Sequence, residues 1–149
     1  MADIAYNRNL AIFQENAGGV GRGLAKNSTT FYAGTFVMLD IGTGYINNAA
    51  DTANFVWAGI VQRKVTGDTS ASPVPEVTYI TGPMTLQNYD VTGASAVTNN
   101  GDLVYVTDNN TLTTSSTSNT KAIGCIDKWL VGTKCDVRLF APEVSRAQN

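Results

Sequence analysis

Gly101-Asp102-Leu103-Val104-Tyr105-Val106 opens the stretch that decides the fold, which runs to Phe140. A polar run, Thr107 to Lys121, comes next. Ala122-Ile123-Gly124-Cys125-Ile126 follows it, then a short connection and Asp136-Val137-Arg138-Leu139-Phe140. The alternation reads as strand, polar excursion, strand, turn, strand. The same outline occurs earlier in the chain. Gly34-Thr35-Phe36-Val37-Met38-Leu39 resembles Gly101 to Val106, at an offset of 67 residues. Ala58-Gly59-Ile60-Val61 resembles Ile123 to Ile126 at 65, and Glu76-Val77-Thr78-Tyr79-Ile80 resembles Asp136 to Phe140 at 60. Offsets that drift in this way point to a duplicated β unit with unequal loops rather than a solenoid. Generic strand alternation would give a similar outline.

The composition agrees with a β-rich domain. Of 149 residues, 43% are hydrophobic and 15% charged, and the polar share is carried by 19 Thr and 14 Asn. Those residues suit strands and Asx-type turns better than helices. No segment sustains helical periodicity. About nine or ten short strands, with turn signals every 8–12 residues, predict an all-β sandwich or small barrel-like domain. A single domain of this length can hold a core without metal or disulfide support.

Three regions are distinguished. Residues 1–30 read as an N-terminal arm and first strand, 31–141 as the β domain and 142–149 as a flexible polar tail. In the first region a short apolar group, Leu10-Ala11-Ile12-Phe13, precedes Gly18-Gly19-Val20-Gly21-Arg22-Gly23. Four glycines in six residues permit positive φ and raise the entropy cost of ordering. Either an arm that orders against a partner or neighbouring subunit, or a first strand with a loose loop, satisfies this pattern. Phe55 to Val65 reads as a strand buried on both faces near its start, with a short helix as the alternative. Gly59 there marks a bulge or close approach. Thr66 to Pro75 is a loop, since its two prolines have no place in a central strand.

The chemistry-bearing residues are sparse. The chain has no histidine, which removes Ser-His-Asp and Cys-His catalysis and histidine-based zinc sites. Gly18 to Gly23 has phosphate-loop spacing, but Leu24-Ala25 stand where Lys and Ser/Thr are needed. Asp40, Gly42 and Gly44 mimic a calcium loop without its ligands. No enzyme activity, cofactor or metal is expected. Two cysteines, Cys125 and Cys135, either face each other across a hairpin or remain reduced. Asp51 and Asp68 read as solvated loop residues. Trp129 sits near a hairpin tip, as a subunit contact or folded back on its own core. The net charge is −2 with scattered basic residues, so no nucleic-acid footprint is present. No apolar run approaches the ~18 residues of a membrane helix. No basic and apolar leader stands at Met1-Ala2-Asp3-Ile4, which points to synthesis and use in a cytosol.

The order of these segments, from Asn9 through Ala33-Gly34-Thr35-Phe36-Val37, Ala58-Gly59-Ile60, Thr81-Gly82-Pro83-Met84-Thr85-Leu86, Asn100 to Val106, Ile123-Gly124-Cys125 and Asp136 to Phe140, resembles the capsid cement, or head decoration, proteins of tailed bacteriophages. The resemblance spans about residues 9 to 140 and is carried by glycines and strand alternation. It implies a structural virion protein, made in the host cytoplasm, that binds the outer surface of a capsid through the major capsid protein. Such proteins are often homotrimers. Leu10, Ile12, Phe13, Arg22 and Trp129 are then the candidate capsid or subunit contacts. The expectation follows that removing residues 1–23 leaves the β domain folded and abolishes capsid binding. The Thr66 to Pro75 loop and the Trp129 tip depart from the family pattern. A carbohydrate-binding or adhesin module on a virion is the competing class, suggested by the Thr/Asn-rich surface with its Trp and Tyr residues.

Overall fold

The computed structural model describes residues 3–13 and 19–148, apart from the Phe13 side chain. In chain order its strands are β1 Ile12–Phe13, β2 Val20–Leu24, β3 Thr30–Phe31, β4 Phe36–Asp40, β5 Ile46–Asn48, β6 Phe55–Val61 and β7 Val65–Thr66. There follow β8 Glu76–Ile80, β9 Met84–Thr92, β10 Leu103–Val106, β11 Leu112–Thr113, β12 Gly124–Val131 and β13 Lys134–Leu139. A short helix, α1 Pro142–Arg146, closes the chain. The all-β expectation holds, and Phe55–Val61 is a strand rather than a helix, buried along almost its whole length.

The strands form two small barrels. The first has the order β2-β8-β6-β4-β5, and a parallel bridge between Ala25 and Ile46 closes it. The second has the order β9-β11-β10-β12-β13, and β13 pairs back onto β9 to close the ring. Relabelling each set by chain order gives one topology: the first strand pairs antiparallel with the fifth, the fifth with the fourth, the fourth with the second and the second with the third. The third then lies parallel to the first. Registers coincide as well. Val37 opposes Gly59 as Val104 opposes Gly124, and Leu39 opposes Ile46 as Val106 opposes Leu112. The chain is therefore two related β units.

One offset needs correction. Ile60 opposes Ile80 in the first barrel, and Cys125 opposes Arg138 in the second. The last strands therefore align at 58 residues (138 − 80), not 60. A slip of two residues leaves every side chain on its original face, so hydrophobic alternation alone does not detect it.

The barrels pack together through the strands they share with the core. Along β6, Ala58 and Val61 face the first barrel's own cluster with Val37, Ile46, Val77 and Tyr79. Trp57 and Ile60 face the other way and join Phe36, Met38, Leu86, Val104, Ile126 and Val137 in the larger cluster. Trp57 is completely buried, stacks edge-on against Phe36 at 6.0 Å and donates its indole N–H to the Phe140 carbonyl at 3.0 Å. Both rings belong to the first barrel and pack into the larger cluster, to which side chains of both units contribute.

Residues 20–24 and the C-terminal segment are both built into the fold. Residues 20–24 are not arm but the β2 strand of the first barrel, paired with β8 through all five residues. Removing residues 1–23 therefore takes out most of a barrel strand as well as the segment before it. The glycines there serve close packing: a Cβ at Gly21 would collide with the Tyr79 ring, and one at Gly23 with the Ile46 side chain. The expected frayed tail is docked through residue 148. Ser145 is buried and donates to the Ala122 carbonyl at 2.7 Å, and the Gln148 amide exchanges hydrogen bonds with both backbone groups of Ala122. Pro142 at the first turn, Glu143 beside it and Arg146 in the last turn favour this helix.

Candidate interaction surface

The N-terminal segment crosses from one barrel to the other. β1 adds to the edge of β9, with Ile12 opposite Leu86 and Phe13 opposite Thr85, and Gln87 donates its N–H to the Ala11 carbonyl at 2.8 Å. Leu10 and Ile12 are half-buried against the larger core cluster. Upstream, Asn109 binds this segment from the β10–β11 turn. Its side chain accepts from the Ile4 N–H at 2.9 Å and donates to the Ile4 carbonyl at 3.1 Å. Its own N–H donates to Asp3 at 3.0 Å. Asn109 is wholly buried and ties this segment to the β10–β11 turn.

Arg8 fixes the crossing point. Its guanidinium carbon lies 5.4 Å from the Phe36 ring centroid and 5.4 Å from that of Tyr89, one ring from each barrel. Its Nε donates to the Gly34 carbonyl at 2.7 Å, and its backbone N–H donates to Ala33 at 2.8 Å. Gly34 has φ +80° and lies so close to the Arg8 backbone that a Cβ would overlap it. The Tyr89 hydroxyl donates to the Asn110 carbonyl. Burial pushes the Tyr89 hydroxyl above its ordinary pKa, and the nearby Arg8 charge offsets part of that rise. On one side of Arg8 lies a polar cavity of about 320 Å³ that includes Asn88, Tyr89, Asp90, Asn110 and Lys134. On the other side a groove of about 320 Å³ runs between Leu10, Ile12, Gly34, Ile60 and Ile80.

A second tie joins the barrels on the β5–β6 loop. The Asp51 carboxylate accepts three backbone N–H groups, from Thr117 at 2.8 Å, Ser118 at 3.0 Å and Asn119 at 2.6 Å. Desolvation raises its pKa, but the three donors outweigh that effect and the net shift is downward. Asp51 is an anchor and not a solvated loop residue. Asp68, by contrast, bonds its local turn at Ser70 and Ala71 and nothing else among the described residues.

The five contact candidates do not converge. Leu10 and Ile12 lie on the crossing segment, and the Phe13 side chain is outside the described residues. Arg22 is exposed on β2 and has no ion-pair partner among the described residues. Trp129 is half-buried and folds back on its hairpin, donating its indole N–H to the Gly132 carbonyl at 2.9 Å and its backbone N–H to Asn100 at 2.7 Å. The apolar tip is instead Val131, 66% exposed. Cys125 opposes Arg138 and Cys135 opposes Trp129, so the two cysteines do not face each other, and both are free thiols. Arg8 and Asn109 escaped sequence reading because a lone Arg between asparagines and an Asn in a turn have no pattern. Only the return of β4 and β9 to the same place exposes their roles.

Among the described residues no group of His, Cys, Asp or Glu is placed to hold a metal ion, and no helix is long and apolar enough to cross a membrane. No family model, curated protein or solved structure matches the chain.

Proposed function

We propose that this chain is a structural virion protein that binds the outer surface of a phage capsid, through its major capsid protein, and stabilises the shell as a homotrimer. The observation that carries this reading is the spread of exposed apolar side chains over both barrels. Val20, Leu24 and Ile41 lie on the first, and Leu103 and Val131 on the second, with Val97 beside it. Single apolar side chains are ordinary on a protein surface. Their presence on both of two tied barrels suits a cement that touches several shell subunits at once, where weak contacts multiply through effective concentration. Arg8 and Asp51 support the same role, since a spacer must keep its contact points in fixed relation to resist shell expansion. The sequence resemblance points to the same class.

Light scattering on the purified chain, then co-sedimentation with undecorated capsids, tests the proposal. A trimer that saturates a fixed number of shell sites is expected. A monomer that stays in the supernatant would overturn the reading. The polar cavity beside Arg8 favours a second reading, a glycan-binding virion module. Tyr89 offers an aromatic edge there, and Asn88, Asp90 and Asn110 offer the donors and acceptors that sugar hydroxyls take. Saturable binding on a glycan array, lost in Asn88→Ala, would move that reading to first place.

A further inference from the structure

The two barrels differ in one respect at equivalent places. In the second, the outer edge of β9 is covered by β1, and the Gln87 N–H donates to Ala11. The corresponding edge in the first barrel belongs to β2. Val20 opposes Ile80 as Thr85 opposes Arg138, and Gly21 opposes Tyr79 as Leu86 opposes Val137. Val20, Gly21 and Arg22 are thus the counterparts of Thr85, Leu86 and Gln87. Gly19 accepts from Thr81, and Ala25 donates to Pro75. Odd-numbered residues of β2 therefore aim their backbone at β8, and Val20 and Arg22 aim theirs outward. Beyond the bridge of Ala25 to Ile46, no strand pairs with that outer edge among the described residues. Val20 itself is 57% exposed.

The geometry points to a strand-accepting seat on the outer edge of β2, filled by an extended segment of a different polypeptide running antiparallel to Val20–Arg22. The filled seat on β9 supplies the template for the occupant: a short strand with apolar side chains at alternate positions, as Leu10 and Ile12 have. A second copy of this chain is a poor occupant. Each chain carries two seats and one N-terminal strand, so lending that strand to a neighbour empties the β9 seat. Main-chain pairing to an exposed edge supplies affinity with few side-chain demands. The seat is a property of the barrel and does not depend on the shell reading.

A labelled peptide with the sequence of residues 7–13 serves as the strand probe on the full chain, with anisotropy and amide hydrogen exchange as readouts. One peptide per chain is expected to bind, slowing exchange at Val20 and Arg22 while Gln87 stays unchanged. Arg22→Pro removes the outward N–H and leaves the β8 ladder intact, so binding should fall about tenfold or more with little change in unfolding midpoint. Equal binding by R22P, protection at Gln87 instead of Arg22, or no saturable binding would each overturn the proposal. Should R22P fail to fold, exchange at Val20 and Arg22 in the unaltered chain decides alone.

Discussion

Gly59 and Gly124 occupy the same place in two barrels, 65 residues apart in the chain (124 − 59). Each opposes a valine of the second strand of its unit, Val37 or Val104, and each lets a neighbouring backbone approach. A Cβ would overlap the Ile80 carbonyl oxygen at Gly59 and the Arg138 carbonyl oxygen at Gly124. Both alanine variants should therefore lose at least about 1–3 kcal/mol in urea unfolding, since backbone has no rotamer with which to retreat. Near-neutral behaviour at either site would show that the barrels are not equivalent there.

Arg8 lies between one ring of each barrel. Replacing it with Ala removes two ring contacts and the hydrogen bond to Gly34, and should cost about 1–3 kcal/mol. Arg8→Lys should recover less than half of that loss. An ammonium lacks the planar fork that stacks on Phe36 and Tyr89 while also reaching the Gly34 carbonyl. Full rescue by Lys in thermal unfolding would mean that charge alone matters.

The Asp51 carboxyl has a pKa below its ordinary 3.8. Its contribution is fully present above that value and is lost as pH falls through the lower, folded pKa. Asp51→Asn should cost roughly 1 kcal/mol near neutrality, after allowance for solvent screening. The gap between the two proteins should narrow on acidification below the ordinary carboxyl range. A gap that persists in strong acid would assign the effect to packing rather than charge.

Thiol chemistry checks the hairpin register. Burial pushes both cysteine thiols above their ordinary pKa, and Cys135 is fully buried. In native protein, a disulfide reagent should label Cys125 slowly and leave Cys135 untouched, with both reacting in denaturant. Absence of titratable thiol after unfolding would reveal a disulfide and overturn the pairing of Cys135 with Trp129.

Much of the fold was legible in sequence because strands announce themselves by alternation and turns by glycine, proline and asparagine. The strands at Phe36–Asp40, Glu76–Ile80 and Leu103–Val106 lie where that pattern predicts, whereas β6 stops at Val61 rather than Val65, and β12 and β13 extend the expected Ala122–Ile126 and Asp136–Phe140 segments to a turn at Gly132 and Thr133. The repeated outline already contained two of the three correct offsets.

What the chain alone determined was therefore the set of strands, their all-β assembly and the hint of duplication, since these follow from local backbone preference and side-chain period. Tertiary structure decided the rest: barrel closure through Ala25–Ile46 and Val91–Leu112, the two-residue register of the last strands, and the conversion of Gly21 and Gly23 from apparent flexibility into close packing. It also placed Arg8 between Phe36 and Tyr89. Each of these depends on which distant segments meet, and contact between residues far apart in the chain leaves no periodic trace in either segment.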